Sequence, residues 1–319
     1  ASNPQSFWMS TASDYLNFAP TLREGLTVTS ASSIFGTLND STLNEIQWLA
    51  AADYSLLAAT ASGVWRIYAA QDVLSSTTIQ ARKLDAQGAS RTRPVIVGAS
   101  VIYVERSGTH VMALSRDGLN ADLVSTDLGV QAEHLLESGV AGLCASHHPD
   151  LRLWCRLQDG GLVSLDHGQA EQRWGWSRQA MAAGSSPLPA SVASVATAGR
   201  PATTNQGVED QVWFVVERYR GGQMVRTLEV LSDAIRHEDD GWLGHYADAG
   251  LTSRAPIPTT TIDGLAHLEG EQVLVRAQDE DLGLFTVTSG AITLPMAHMM
   301  LSVGLPYESK VALNDLNRG

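Results

Sequence analysis

The chain has 319 residues, of which 44% are hydrophobic and 17% are charged, a composition typical of a globular protein with ample apolar material for a core. Its formal net charge of −13, without any basic run, argues against a surface that grips nucleic-acid phosphates. Two cysteines are too few for a disulfide-built scaffold, and no stretch approaches the ~20 apolar residues of a membrane span, so a soluble protein made in the cytoplasm is predicted.

The start of the chain carries no leader pattern. Residues from Ala1 to Gln5 show no charged start followed by an apolar run. The absence of an initiator Met indicates an internal or processed fragment.

Short apolar runs bounded by Gly, Asp, Asn and Ser, with β-branched residues inside them, favour strands over helices. They group into four sets of three strands, in chain order: Ile46–Ala52, Ser55–Thr60 and Gly63–Tyr68; Pro94–Val97, Ser100–Arg106 and His110–Ser115; Val140–Ser146, Leu151–Gln158 and Gly161–Asp166; Val192–Thr197, Gln211–Tyr219 and Gln223–Leu231. An all-β fold is therefore predicted.

Each set is a meander whose second turn contains glycine, such as Gly108 and Gly221-Gly222. The sets begin roughly every 45–50 residues, a spacing in the range of propeller blades. Propeller-like meanders of antiparallel strands are therefore predicted.

Six tryptophans fall within these meanders: Trp48, Trp65, Trp154, Trp174, Trp176 and Trp213. Tryptophans in strand-like runs are expected to pack in the core or between blades, although surface platforms for sugars are the alternative. Cys144 and Cys155 flank the turn His147–Asp150, so symmetric pairing would place them opposite each other across a hairpin, as packed free thiols.

Two polar stretches, Ala182–Ala190 and Ala198–Glu209, indicate loops. Such loops lie exposed on the surface or, if the protein forms a ring, could reach its lumen or a neighbouring subunit. The charged segment Arg236–Asp240 and the proline-containing stretch Arg254–Thr261 indicate a boundary. After it, Thr261–Leu294, with turns at Gly264, Gly270, Gly283 and Gly290, predicts a small β-barrel or sandwich.

The predicted division of the chain has four parts. Residues 1–40 are N-terminal strands that belong with the propeller, and 41–235 are the propeller-like domain. Residues 236–260 are a linker with connecting loops, and 261–319 are the small β module.

The sequence carries no complete pattern of an enzyme site. His147, His148 and Asp150 could ligate a metal, but a tetrahedral site needs further donors that the sequence does not specify. For a glycosidase pair, nothing in the spacing selects two of Asp14, Asp53, Glu105, Glu133 and Glu217; Glu209-Asp210 and Asp239-Asp240 are typical of turns and solvated loops.

Nucleophilic and phosphate-binding patterns are missing as well. The chain has no Gly-x-Ser-x-Gly elbow, and Gly160-Gly161 and Gly221-Gly222 lie between strands instead of opening a helix. We therefore expect no catalytic, cofactor-binding or metal-binding residues, and no enzyme.

A series of local patterns runs along nearly the whole chain: Trp8–Ser10, Ser13–Phe18, Asn44–Leu49, Leu56-Leu57, Thr60–Ile67, Pro94–Gly98, Val101–Arg106, Ala132–Leu135, Leu153–Arg156, Asp159–Leu162, Glu209–Val216, Gly264–Glu271 and Val303–Tyr307. In this order, the patterns resemble the tail nozzle (tail tubular protein B-like) family of podophages. Each stretch by itself is only a strand with a turn and is not specific. The order of the stretches, which the chain shares with the family, is specific. Departures are the alanine-rich Ala50–Ala52 and Ala58-Ala59, and Val64 where the family often carries Glu, which puts a charged subunit contact there in doubt.

This resemblance implies a virion protein of the phage tail. It would form a ring, by resemblance a homohexamer, at the distal end of a short tail and contact other tail proteins such as an adaptor, a fibre or spike, and the tail tip. Phage DNA would pass through the lumen during ejection without sequence-specific binding. An acidic wall suits such a conduit because it does not hold a polyanion, although acidity also serves plain solubility.

The alternative is a carbohydrate-binding or glycan-degrading β-propeller module that recognises the host surface. It predicts exposed aromatic side chains beside a cleft lined by carboxylates. The nozzle hypothesis predicts buried tryptophans and large lateral interfaces.

Overall fold

A computed structural model describes residues 4–11, 14–19, 27–42, 44–52, 55–69, 73–116, 123–168, 173–201, 208–232, 247–277 and 280–310. The chain is almost entirely β-structure in antiparallel sheets, which confirms the predicted all-β class. It divides into two compact units, Ala1–Asp159 with Val163–Ser177, and Gly160–Leu162 with Arg178–Gly319. Within the described ranges no helix is long and apolar enough to cross a membrane.

Three four-stranded antiparallel meanders follow one another in the first part of the chain. The first contains β3 (Ile46–Ala52), β4 (Ser55–Thr60), β5 (Gly63–Ala69) and β6 (Ile79–Asp85). The second contains β7 (Val95–Val97), β8 (Ser100–Val104), β9 (Val111–Arg116) and β10 (Leu123–Asp127). The third contains β11 (Val140–Ser146), β12 (Arg152–Leu157), β13 (Leu162–Gly168) and β14 (Arg173–Gln179).

Apolar layers join these meanders face to face. The layer between the first and second contains Trp48, Leu57 and Tyr103, and the layer between the second and third contains Val104 and Leu153. Successive meanders therefore stack in chain order, as blades do in a propeller.

Smaller elements complete this unit. The strands β1 (Ser6–Met9) and β2 (Ile34–Thr37) pair as a ribbon, and its buried residues Phe7 and Ile34 share a core with Trp65 and Ile67 of β5. A single helical turn, α1 (Glu133–Leu136), precedes β11 and buries Leu136.

The second unit contains two sheets. The first is a meander of β15 (Ser191–Pro201), β16 (Val208–Arg220) and β17 (Gln223–Val230). The other has the strand order β18-β21-β19-β20, with β18 (Asp248–Ile262), β19 (Gln272–Ala277), β20 (Glu280–Thr286) and β21 (Ile292–Leu305).

The four predicted strand sets are present, with ends that differ by a few residues. The strands β6, β10 and β14 were not predicted from the sequence; each adds a fourth strand to one of the first three sets. The glycine turns are confirmed, since Gly108, Gly221 and Gly222 have φ values of 87°, 55° and 84°, in the left-handed region that glycine adopts without strain.

The C-terminal module differs from its prediction. Its described residues form one four-stranded sheet, and β18 occupies Asp248–Ile262, where a linker ending at residue 260 was predicted. All four glycines have a positive φ. Gly270 and Gly290 lie in turns and Gly264 in a loop, whereas Gly283 lies inside β20 next to a register shift. Residues 233–246, including the predicted charged segment Arg236–Asp240, lie outside the described residues. Each unit holds parts of more than one predicted domain, so the four-part division stays a prediction.

Candidate subunit interface and its buried support

The sheet β15–β17 has one face covered by the protein and one that faces solvent. Alternation along β16 buries Phe214, Val216 and Arg218, because side chains i and i+2 of a strand share a face. The opposite face, which we call the outer face, consists of Trp213, Val215, Glu217 and Tyr219 of β16 and, directly across from them, Val230, Leu228, Arg226 and Met224 of β17.

Apolar side chains dominate the outer face. Met224, Leu228 and Val230 are exposed, Leu228 by 67%, and Trp213, Val215 and Tyr219 are half-buried. The six apolar side chains form two groups, Trp213, Val215, Leu228 and Val230 on one side of the Glu217–Arg226 pair, and Tyr219 and Met224 on the other. Exposed apolar patches of this kind mark interaction sites on soluble proteins.

The two charged groups of the outer face neutralise each other. Arg226 Nε donates to Glu217 Oε1 at 2.7 Å, and this hydrogen bond is the main reason that the pKa of Glu217 is lowered. Ser191 Oγ donates to the second carboxylate oxygen at 3.3 Å. The face therefore carries no net charge, on a chain whose formal charge is −13.

The covered face of the same sheet contains a buried arginine. Arg218, 2% exposed, donates from Nη1 and Nη2 to the carboxylate of Glu229, and from Nη1 to Thr227 Oγ1 at 3.2 Å. A planar guanidinium suits such a forked contact with a carboxylate. Arg218 and Glu229 thus tie β16 to β17 beneath the outer face.

The segment before β15 is held by the same buried groups. Arg218 Nε donates to Ala182 O at 2.7 Å, and Ala182 N donates to Asp248 Oδ2 at 2.6 Å. Ser185 donates from N and Oγ to the Glu271 carboxylate at 2.7 and 2.9 Å. The predicted loop Ala182–Ala190 is confirmed as a largely exposed loop, and its first half is in addition anchored by these contacts.

These contacts join the two sheets of the second unit. Asp248 begins β18 and Glu271 precedes β19, whereas Arg218 lies on β16. Arg220 Nε lies 3.5 Å from Glu271 Oε1, and its Nη1 donates to His267 O. Desolvation raises the pKa of Asp248 and lowers that of Arg220. A charged network of this kind fixes the positions of both sheets.

A second exposed surface lies near the N-terminus. Trp8 of β1 and Phe35 of β2 are each about half exposed, with ring centroids 4.9 Å apart. The turn that follows β1 in the chain also exposes Tyr15 and Leu16. We call this set the N-terminal aromatic surface.

The candidate metal ligands do not form a metal site. His147, His148 and Asp150 are exposed in the β11–β12 turn, and His147 Nε2 lies 3.3 Å from Ile96 O. The described residues contain no group of three or more His, Cys, Asp or Glu side chains able to hold a metal ion.

The candidate glycosidase carboxylates lie on different elements. Asp14 is in the exposed turn after β1, Glu105 follows β8 and accepts from Ser107 N, and Glu133 begins α1. Glu217 is on the outer face, and Asp53 lies outside the described residues. Glu209 and Asp210, predicted in a turn, lie in β16, where Glu209 pairs with Arg200 at 3.6 Å; Asp239 and Asp240 are not described.

Both cysteines are buried thiols that form no disulfide, as predicted, but their predicted pairing across the hairpin is wrong. Cys144 lies opposite Trp154, and Leu143 lies opposite Cys155, which places the two thiols on opposite faces of the sheet. Cys144 would lie opposite Cys155 only across a six-residue connection, whereas five residues, 147–151, connect Ser146 to Arg152, so the register differs by one position. Burial raises the pKa of Cys155, which leaves it a poor nucleophile.

Three of the six tryptophans are buried as predicted: Trp48, Trp65 and Trp154. Trp176 is half-buried and donates from Nε1 to Leu128 O at 2.8 Å. Trp213 is also half-buried, on the outer face, and the side chain of Trp174 lies outside what the structure describes. Trp213 lies in a strand as predicted, but its place on the outer face contradicts the predicted packing in the core or between blades. The sequence analysis did not single out Val230, which lies across from Trp213, or Leu228 and Met224 farther along β17; the apolar alternation along β17 was the signal.

Comparisons with known proteins give little resemblance. No family model matches the chain, and no curated protein does. Among solved structures, a triple arginine-to-alanine mutant of AofleA from Arthrobotrys oligospora is similar over 73% of this chain and 68% of its own, with 13% identity and a TM-score of 0.30.

Proposed function

We propose that this chain is a structural subunit of a podophage tail nozzle, forming a ring in the virion that conducts DNA during ejection and connects to other tail proteins. In this proposal the chain has no catalytic role. Its work is mechanical and electrostatic.

The observation that carries the proposal is the stack of three four-stranded meanders, on which the ordered stretches of the resemblance fall. Asn44–Leu49 leads into β3, Pro94–Gly98 covers β7, and Leu153–Arg156 lies within β12. Each meander thus carries a matching stretch in the family's order. The buried layers between the meanders give the rigid body that the wall of a tube requires.

The acidic balance of the chain supports a conduit. A wall that repels phosphates lets a polyanion slide past without binding it, because attraction would hold the DNA in place. In a hexamer the formal charge of −13 per chain would be repeated six times around the lumen.

The test is the mass of the assembled chain. Native mass spectrometry of the purified protein at micromolar concentration should show one closed oligomer, with six copies expected from the resemblance. A monomer that persists up to millimolar concentration would contradict the proposal.

The carbohydrate-binding alternative is favoured by one observation, the N-terminal aromatic surface. Exposed Trp8, Phe35 and Tyr15 could stack on sugar rings, and the Asp14 carboxylate is exposed beside Tyr15. Screening the chain against bacterial surface glycans separates the two: glycan binding that Trp8→Ala abolishes, by a protein that stays monomeric, would favour the alternative.

A further inference from the structure

We infer that the outer face of β15–β17 is the surface through which one copy of this chain binds the next. This inference deepens the proposed function and rests on it, since the ring supplies the second copy. The charge, the composition and the open edge of the outer face identify a second copy of the chain as the partner that binds it.

The charge of the face selects its partner. Two copies of a chain with a formal charge of −13 repel each other at most orientations. The outer face is an exception because its single cation, Arg226, is paired with Glu217 at 2.7 Å. It therefore offers a neutral apolar contact to an acidic partner, whereas nucleic acid and anionic membranes would require an excess of cations.

The composition of the face matches that of protein interfaces. Trp, Tyr, Met and Arg are enriched in such interfaces, and Trp, Tyr and Arg supply most residues that dominate binding energy. The outer face combines Trp213, Tyr219, Met224 and Arg226 around Val215 and Leu228.

The edge of the sheet is also open. In the described part of the chain, β17 pairs only with β16, and its exposed residues at alternate positions are mostly apolar. A long apolar edge strand presents unpaired backbone groups, and natural proteins usually cover or charge such an edge. Contact with another copy would cover both the edge and the adjoining face.

The support beneath the face suits a contact that bears load. Arg218 joins β16 to Glu229 of β17 and to the backbone of Ala182, so the sheet is fixed from behind. A surface that is rigid before binding loses little conformational freedom on association.

A ring requires the outer face to meet a different surface of the next copy, because heterologous contacts that close by rotation generate rings. Each copy in a closed ring then has its outer face covered. A symmetric pair, with two outer faces against each other, would instead stop at a dimer.

The experiment compares Leu228→Glu and Met224→Glu with a control, Val130→Glu. Leu228 and Val130 are similarly exposed, by 67% and 63%, but Val130 lies in the turn before α1. We expect each outer-face variant to weaken association more than about 100-fold, because an unpaired charge would be buried in the contact. The control should assemble like the wild-type chain.

Analytical ultracentrifugation gives the association constants, and far-UV circular dichroism with thermal unfolding confirms that each variant is folded. A wild-type chain that never assembles contradicts the proposed nozzle. A wild-type chain that forms rings, together with outer-face variants that are folded and form the same rings, overturns only the present inference. A dimer as the largest species overturns the head-to-tail contact.

Discussion

At the scale of single residues, the buried charges of the second unit have the largest energetic consequences. Arg218, Glu229, Glu271 and Asp248 are removed from water to different extents, and each makes hydrogen bonds that offset part of its desolvation. A buried ion pair adds little net stability by itself, but removing one partner leaves a buried charge uncompensated. Stability should therefore respond far more to single substitutions here than to substitutions of exposed pairs.

Arg218→Met should lower the free energy of unfolding by about 3–5 kcal/mol, because Glu229 loses its buried partner. The matched control is Arg226→Met, which breaks the exposed pair with Glu217 and should cost no more than about 1 kcal/mol. Urea denaturation of the three proteins measures the difference. Equal losses for the two variants would show that the Arg218 network does not stabilise the fold.

Asp248→Asn should raise stability at neutral pH and have little effect at low pH. Burial raises the pKa of Asp248, so the folded chain binds the proton more tightly than the unfolded chain between the ordinary and the raised pKa. Through that interval stability falls as pH rises. Asparagine removes this dependence while its side-chain oxygen can still accept from Ala182 N.

Asp40→Asn should behave in the opposite way. Hydrogen bonds from Lys83, at 2.8 Å, and from Ser62 hold the pKa of Asp40 well below its usual range. The stabilisation is present above the usual carboxyl pKa and is lost as pH falls through the lowered one. Thermal midpoints from pH 3 to pH 7 test both variants; effects of the same sign at neutral pH would refute this assignment.

At the scale of elements, a buried tyrosine links the first two meanders. Tyr103 of β8 donates from its hydroxyl to Asp85 Oδ2 of β6 at 2.9 Å, and its oxygen lies 2.7 Å from Ser125 Oγ of β10. Its ring packs against Trp48 of β3, with centroids 5.6 Å apart. One side chain thus connects strands of two neighbouring sheets.

Tyr103→Phe keeps the ring and removes the hydroxyl, so it should cost about 1 kcal/mol or somewhat more, since Asp85 and Ser125 lose a partner. Tyr68→Phe is the control, because Tyr68 donates to Gln80 Oε1 at the surface. Losing this exposed hydrogen bond should lower the free energy of unfolding by only a few tenths of what Tyr103→Phe costs. Chemical denaturation measures both. A neutral Tyr103→Phe would show that apolar packing alone joins the two meanders.

Short apolar runs made most elements predictable. The strands β4, β8 and β9 are buried at consecutive positions, because a strand that is covered on both faces is a nearly continuous apolar run. The fourth strands carry little of this pattern: in β6, Gln80, Ala81 and Arg82 are all exposed. A strand of this kind is defined by pairing with its neighbour, here β5, and local sequence does not encode that pairing.

The candidate site was only partly predictable. The strands β16 and β17 follow from their patterns, but which face stays in solvent depends on what covers the other one. The buried network joins Ser185 to Glu271, residues 86 positions apart, and Ala182 to Asp248, 66 positions apart. Contacts at that separation arise from tertiary packing, which cannot be predicted from the pattern of residues that are adjacent in the sequence.

At the scale of the whole molecule, the acidic charge and the neutral outer face would make opposite contributions to the proposed assembly. Copies with a formal charge of −13 repel one another over long distances, and dissolved salt screens that repulsion. The apolar contact through the outer face depends far less on screening. Assembly should therefore strengthen with salt.

Raising the ionic strength from about 20 mM to about 150 mM, which shortens the Debye length to about 8 Å, should increase the fraction of closed oligomer at a fixed protein concentration. Sedimentation velocity measures this fraction. Rings that dissociate as salt is added would mean that ion pairs across the contact hold them together.

Single-particle electron microscopy of the assembled chain tests the central claim most directly, at a resolution that traces β16 and β17. We predict closed rings in which each outer face is covered by the adjacent copy, with Leu228 and Trp213 in the contact. Isolated molecules, or rings that leave this face in solvent, would contradict the account.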